Sequence, residues 1–368
     1  MRLIASPPER RLRWLVCSIF DANSMQAAVL YGREDVRVED IAPRALQRGE
    51  VRVAIEAALT CGTDLKVYKR GHHARMITPP AVFGHEFAGV ICETASEAEG
   101  WKAGDRVVAA NSAPCGECFY CRNEQENLCD DLLFLNGAYA ESIVVPARIV
   151  RKNMLRLQTQ TRFQDAALTE PLACVVQGWQ DLQARPGQRV LVIGSGPIGL
   201  MFAALALHDD CDVTLSGRGP RLEIARKLGV KKIIDASSEM ATAGFDLVIE
   251  AVGKPETWET ATRMVRKGGK VNFFGGCESG SKVSLDTQLI HYSNLTLLAS
   301  FHHTPRTIRR ALELIESGAV DASAFVDGCC ALRELPELFR SMARGNRAVK
   351  TLVRTHERKA VGETPALP

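Results

Sequence analysis

Four cysteines fall within one short stretch, Cys115, Cys118, Cys121 and Cys129, separated by two, two and seven residues. Four thiolates at these intervals can wrap one Zn²⁺ tetrahedrally with no position left open, which is the chemistry of a structural site. An iron–sulfur cluster and unmetallated thiols are the alternatives. The loop between the cysteines has little apolar content of its own, so a metal staple supplies what packing does not. More scattered residues offer a different chemistry. Cys61 opens Cys61-Gly62-Thr63-Asp64 after an apolar strand, His85 and Glu86 stand in Phe83-Gly84-His85-Glu86-Phe87-Ala88-Gly89, and Glu170 precedes a proline in Leu168-Thr169-Glu170-Pro171-Leu172. A lone Cys61 reads first as a small buried hydrophobe. His85 and Glu86 add weight, because polar side chains between a glycine and an apolar run suit a metal site. Glu170 in an apolar segment is expensive to bury unless a cation or a donor meets it, although a solvated helix-terminal carboxylate explains it equally simply.

A further chemical signal lies in Val190–Met201, VLVIGSGPIGLM, which reads as strand, tight turn and helix. Gly194 permits the turn, Gly196 lets the backbone approach a pyrophosphate and Gly199 lets helix and strand pack closely, with Pro197 and Ile198 opening the helix. A glycine-rich turn in an ordinary strand–helix unit is the competing reading. The strand before and the apolar helix after favour a dinucleotide site. At the end of the next strand, where an acidic residue would bind a ribose 2′-hydroxyl, the chain reads Leu215-Ser216-Gly217-Arg218-Gly219-Pro220-Arg221, with no carboxylate between Val213 and Leu222. Arg218 and Arg221 offer fork donors suited to a 2′-phosphate, unless they are solvated surface residues. Gly217 is expected to leave room for the added group.

The elements that must position these residues divide in two. From Met25 the segments AAVLYGREDVRVEDI and GEVRVAIEAALT alternate apolar and polar residues, as antiparallel strands with one wet face do. Gly137 to Pro146 is one more alternating strand, and 161–168 opens a helix. From Gln188 strands alternate with helices (RVLVIG, DVTLSG, KKIID, FDLVIEAVG, KVNFFGG and NLTLLAS, with helices over 220–228 and 256–267), which describes a doubly wound parallel sheet. After Phe301-His302-His303-Thr304-Pro305 a helix follows over 307–317. Residues 1–24 carry four arginines and a short apolar stretch; Asp21-Ala22-Asn23-Ser24 stands where a signal-cleavage site would be, so the segment reads as a disordered extension ahead of Met25, and the polar tail from about Glu357 as disordered too.

Composition narrows the class. At 368 residues, 46% hydrophobic and 24% charged, the chain suits a two-domain globular enzyme. A formal net charge of +3 sets up no long-range field that would favour nucleic acid or membrane as the main partner, and no apolar run reaches the roughly 18 residues needed to span a bilayer. Of the 12 cysteines four are clustered and the others mostly single, which fits thiolate ligands in a reducing cytoplasm better than a disulfide framework.

Over roughly residues 25 to 355 the order and spacing of Cys-Gly-Thr-Asp, Gly-His-Glu, the four cysteines, Glu-Pro-Leu and the glycine turn resemble the zinc-containing medium-chain dehydrogenase/reductase superfamily, and within it the sorbitol/polyol and threonine dehydrogenase branch. The resemblance implies a GroES-like β-barrel catalytic domain (25–172 and 301–356) with a Rossmann domain (173–300) inserted, and a tail over 357–368. It implies two Zn²⁺ per chain, one structural and one catalytic in the cleft. Cys61, His85 and Glu170 would hold the catalytic ion, with Glu86 a fourth ligand or one that exchanges with water; Asp64 would orient His85, and Thr63 would relay the alcohol proton. Val252, Gly253 and Gly275 would complete the cofactor site, and at least one of His302 and His303 would bond the substrate, the alternative being two hinge residues. The activity implied is hydride transfer between a nicotinamide cofactor and a secondary alcohol or polyol and its ketone, NADP(H) being favoured over NAD(H) by the Ser216–Arg221 turn. Lys66, where the threonine branch has a histidine, speaks against L-threonine; simple alcohols remain open, and a homo-oligomer, dimer or tetramer, is expected. A zinc-ribbon-like binding module is opposed by the near-neutral charge and the lack of basic–aromatic interleaving near the cysteines. A zinc-free quinone-reductase-like relative is opposed by Cys61, His85 and Glu170 together.

Overall fold

The computed structural model describes residues 23–73, 75–237, 243–346 and 348–356. The tail expected over 357–368, and all but the last two residues of the extension expected over 1–24, lie outside them.

Alternation from Met25 onward produces two largely antiparallel sheets, the larger ending in one parallel pair, Val326–Ala331 with Lys350–Arg354. In the smaller, β1 (Met25–Gly32) lies between β2 (Asp35–Ile41) and β4 (Ala81–Val82). The larger runs in the order β10 (Met154–Arg156), β6 (Arg106–Ala109), β5 (Glu86–Thr94), β3 (Val51–Leu59), β18 (Lys350–Arg354), β17 (Val326–Ala331), with β9 (Ser142–Val145) also on β3. β3 lies central and is buried along most of its length. Its side chains join a core with Phe87, Ile91, Ile149 and Phe339. The last two strands come from the far end of the chain: Leu352 of β18 pairs with Leu59 of β3, so this sheet forms only after everything between them has been made. A separate two-stranded ribbon, β7 (Ser112–Ala113) with β8 (Leu133–Phe134), closes the base of the loop that carries the four cysteines.

The parallel sheet runs β13 (Lys232–Asp235), β12 (Asp212–Gly217), β11 (Arg189–Ile193), β14 (Phe245–Glu250), β15 (Val265–Phe273), β16 (Thr296–Leu298). Successive residues of β11 feed opposite faces: Val190 and Val192 pack with Leu200 and Phe202, Leu191 and Ile193 with Val248 and Phe273. Burial on both faces is why these strands read as continuous apolar runs. The strand order reverses between β11 and β14, and the crevice beyond their carboxyl ends is where such a sheet takes a dinucleotide. Two expected boundaries shift. The helix placed at 256–267 spans Pro255–Met264, because Val265 already pairs with Phe245 and opens β15. Helix Thr169–Leu182 runs unbroken through the boundary expected at 172/173, carrying the chain from one sheet into the other. No helix among the described residues is long and apolar enough to cross a membrane.

Candidate active site and metal centres

The four cysteines sit on the loop above β7 and β8. Cys115 Sγ lies 3.8 Å from Cys121 Sγ and 3.5 Å from Cys129 Sγ. A tetrahedral ZnS₄ centre with bonds of about 2.3 Å has sulfurs about 3.8 Å apart, so the set fits the ion. Backbone amides are aimed at the sulfurs: Cys118 and Glu117 donate to Cys115 at 3.3 and 3.4 Å, Gly116 to Cys121 at 3.4 Å and Cys115 to Cys129 at 3.2 Å. The Glu117 and Cys118 amides hold the Cys115 thiol down to about 6. Burial pushes Cys121 up to about 12 in the absence of a cation. No position is left for a substrate.

The second cluster is assembled from distant segments. Cys61 caps helix Gly62–Arg70, its Sγ accepting from the Thr63 amide at 3.4 Å while Asp64 Oδ2 accepts from the Cys61 amide at 3.1 Å. Asp64 Oδ1 lies 2.9 Å from His85 Nδ1, which leaves Nε2 to face a cation. Tyr139 Oη steadies Asp64 Oδ2 from 2.5 Å. Gly84 sets the entry to His85: its φ is +88°, and a Cβ there would sit 2.6 Å from the Tyr139 ring. Burial alone would lower His85, but the Asp64 and Cys61 charges beside it hold it well above the usual imidazole value.

Cys61, His85 and Glu86 bring ligand atoms within 4.8 Å of one another. Glu86 is also claimed by a residue that sequence reasoning missed. Lys350 Nζ reaches across the end of β3 and meets both Glu86 oxygens, at 2.7 and 2.5 Å, and the Thr60 carbonyl at 3.1 Å. Both partners are buried. A lysine in an alternating C-terminal strand reads as solvent-facing, so nothing local marked it. Glu170, in the first turn of helix Thr169–Leu182, is buried rather than solvated, and burial pushes its carboxyl up to about 7. It falls in a set with His302 and His303, Oε1 being 4.0 Å from His303 Nε2.

His302 has φ +63°, a left-handed conformation that turns adjacent imidazoles to the same side, with ring centroids 4.0 Å apart. Ser112 Oγ lies 2.6 Å from His302 Nε2, and Asn111 Oδ1 3.0 Å from His303 Nε2. Burial drives His302 down to about 3 and His303 well below its usual value, so both rings are neutral. His303 Nδ1 is buried with no hydrogen-bond partner among the described residues. Asn111 and Ser112 were not legible beforehand, since polar residues between an apolar strand and a cysteine loop look like a turn.

At the glycine turn, Gly194 has φ +120° and a Cβ on Gly199 would lie 1.9 Å from the Gly194 carbonyl oxygen. Gly196 caps helix Pro197–His208, with Ile198 in its first turn, and a Cβ there would meet only Arg221 Nη1, at 3.9 Å. The helix N-terminus is therefore open to a diphosphate. Val252 and Gly253 follow β14; Gly275 must be glycine, because a Cβ would sit 2.4 Å from the Gly253 nitrogen. Glu250, another buried residue missed in the sequence, shapes this turn by accepting from the Val252 and Gly253 amides at 2.9 and 3.0 Å and from Thr257 Oγ1 at 2.7 Å. Ser216 is buried at the end of β12 and the Arg218 side chain is exposed, while Arg221 Nη2 donates to the Ala348 carbonyl at 2.5 Å. The room expected beside Gly217 is taken: a Cβ there would lie 2.3 Å from the Ser195 side chain, whose hydroxyl accepts from the Arg218 amide at 3.1 Å.

Residues 47–154 match the alcohol dehydrogenase GroES-like domain family and 197–317 the zinc-binding dehydrogenase family. The chain is 31% identical over 349 residues to L-idonate 5-dehydrogenase of Vitis vinifera, covering 89% of this chain and 93% of that one. To D-altritol 5-dehydrogenase of Agrobacterium fabrum it is 33% identical over 319 residues, 83% of this chain and 90% of the other. A provisionally assigned zinc-binding dehydrogenase from Sinorhizobium meliloti, solved bound to NADP, superposes with a TM-score of 0.83 at 29% identity over 90% of this chain and 99% of its own. The chain belongs to the zinc-containing medium-chain dehydrogenase/reductase superfamily, with a GroES-like unit and a Rossmann-type sheet. It is a zinc-binding oxidoreductase that uses a nicotinamide cofactor.

Proposed function

We propose that the protein is a polyol dehydrogenase, acting on a sugar alcohol or cyclitol-like secondary alcohol and its ketone, with a preference for NADP(H). The observation that carries the polyol reading is the pair of neutral imidazoles, half-buried His302 and buried His303, beside Glu170, where His303 Nδ1 has no partner among the described residues. Such a pair suits hydroxyl groups flanking the reacting carbon, and the Vitis and Agrobacterium relatives carry names of polyhydroxylated substrates. In this reading segments 25–172 and 301–356 form the catalytic unit around the inserted cofactor unit, 173–300.

Two zinc ions are assigned per chain. Cys115, Cys118, Cys121 and Cys129 hold one; Cys61 and His85 hold the other with Glu170, Glu86 completing the set when it leaves Lys350. Bound there, zinc would supply Lewis-acid activation for a hydroxyl and the nicotinamide would supply a hydride acceptor. The protein's own residues do the rest. Asp64 fixes the His85 ring through Nδ1, and Lys350 neutralises Glu86 so that the pocket does not gather two unpaired carboxylates. Thr63, two residues past Cys61 in the first turn of helix Gly62–Arg70, passes the hydroxyl proton outward. Val252, Gly253 and Gly275, set by Glu250, shape the nicotinamide end.

The NADP(H) preference rests on the missing carboxylate at Ser216 and the exposed Arg218 guanidinium, supported by the NADP bound to the Sinorhizobium protein. Arg221, engaged with Ala348, contributes over the diphosphate rather than as a second free fork. The working compartment is taken as the cytoplasm, which suits the absence of any disulfide among the eleven cysteines of the described residues, and the working form as a dimer or tetramer. The test is a spectrophotometric screen at 340 nm of polyols, sugars, cyclitols and simple secondary alcohols with both cofactors, together with metal analysis. Turnover confined to simple alcohols, or equal efficiency with NAD(H), overturns the corresponding part of the reading. Ser216→Asp with Arg218→Ala is expected to move the preference toward NAD(H) by about tenfold or more, as one charge-assisted contact is lost and a repulsion added.

A further inference from the structure

The loop with the four cysteines does more than close on itself. Its base and its rim both hold the segment that carries His302 and His303. At the base, β7 and β8 pair Ser112 with Phe134 and Ala113 with Leu133. From that ribbon Ser112 Oγ contacts His302 Nε2 at 2.6 Å, the Phe134 ring lies 5.6 Å from the His302 ring, and neighbouring Asn111 contacts His303 Nε2 at 3.0 Å. At the rim, the 3₁₀ turn Glu126–Leu128 runs directly into Cys129. Asn127 Nδ2 donates to the Phe301 carbonyl at 2.9 Å, immediately before the histidines. Arg306, three residues after His303 in the first turn of helix Pro305–Glu316, donates to the Glu124 carbonyl at 3.3 Å and lies 3.4 Å from the Glu124 carboxylate and 3.9 Å from that of Glu126. Between these two anchors His302 keeps φ +63°. A histidine holds a left-handed backbone only where its surroundings impose it.

We infer that the cysteine lobe is a clamp on the substrate side of the pocket, with Asn127 and Arg306 as positioning residues that set where His302 and His303 stand. The inference rests on the reading that these histidines meet the alcohol. The Arg306 contacts are exposed ion pairs, which contribute little to global stability, so a stabilising role and a positioning role predict different results. The clamp also gives the loop a reason to be stapled, since a slack loop cannot hold a neighbour in a strained conformation.

The experiment uses the full-length, metal-loaded enzyme and, as probe, the alcohol turned over fastest in the 340 nm panel. Asn127→Ala, Arg306→Ala and the double variant are compared with His302→Ala and His303→Ala. The double variant is expected to raise KM for the alcohol by about tenfold, the scale of one lost hydrogen bond at a binding group, with kcat within about twofold. The Kd for the reduced cofactor, read by nicotinamide fluorescence, the zinc content and the Tm should stay unchanged, and Arg306→Lys should recover part of the loss. An unchanged KM in the double variant, with KM raised in the histidine variants, overturns the clamp and leaves the histidine reading standing. Unchanged KM in both histidine variants overturns that underlying reading, and the clamp with it. A fall in zinc content in step with KM also overturns the clamp, because the lobe itself would then have come apart.

Discussion

The four-cysteine cluster and the Cys61–His85–Glu86 cluster contrast in how they are made. The four cysteines fall within fifteen consecutive positions on one loop, and backbone amides of that same loop point at their sulfurs. The distributed cluster draws Cys61 from a helix cap, His85 and Glu86 from the start of β5 and Lys350 from the last strand, while Glu170, from a helix entering the other sheet, groups with His302 and His303. A local cluster can be complete and closed with little help from the fold. A distributed one depends on the whole fold, and in return it can leave one side open to a substrate. The loop is therefore expected to govern stability and the cleft to govern turnover.

Breaking the loop is expected to have the largest effect. Cys118→Ala should lower zinc content by one ion per chain and destabilise the protein by at least about 5 kcal/mol, read as a fall in Tm, because the metal-binding free energy of such a site is also folding free energy. Breaking the cleft should act the other way. Cys61→Ala and His85→Ala should each remove the other zinc and lower kcat/KM by about 10³-fold or more, while Tm moves little. If the cleft variants unfold and the cysteine variant only slows turnover, the contrast is inverted.

Lys350 sharpens the comparison, since it belongs to the cleft and yet lies in the core. Lys350→Met strands the buried Glu86 carboxylate and should destabilise by about 3–5 kcal/mol; Lys350→Met with Glu86→Gln should recover most of that loss, because a neutral amide no longer needs the ammonium. A double variant no more stable than the single one would mean that Lys350 matters for packing rather than charge. Asp64→Asn is expected to have the smallest effect, a 10- to 100-fold loss in affinity for the cleft zinc measured by competition with a chelator, with Tm nearly unchanged.

Elements whose signal is local were legible in the residues. The alternation from Met25, the apolar β11, the glycine turn and the cysteine spacing each depend on neighbours in sequence, and each forms where expected. Cys61 and Asp64 stood out through the resemblance that Cys-Gly-Thr-Asp carries, and the structure adds that the two form a helix cap. Gly217 misled for a related reason: its missing side chain reads as space, whereas Ser195 from a different strand–helix turn fills it.

By itself the amino-acid sequence determined most of the strands and helices, that a glycine turn links an apolar strand to a helix, and that one loop carries four cysteines at ligand spacing, since periodicity, glycine and short spacing act over a few residues. Only the tertiary structure decided that Lys350, 264 residues along the chain from Glu86, neutralises it, that Asn111 and Ser112 hold the two histidines, and that Glu170 lies beside them. Those contacts join side chains whose order along the chain carries no trace of their meeting. They exist because β18 returns to pair with β3 and because a buried charge or imidazole must find a partner within the protein.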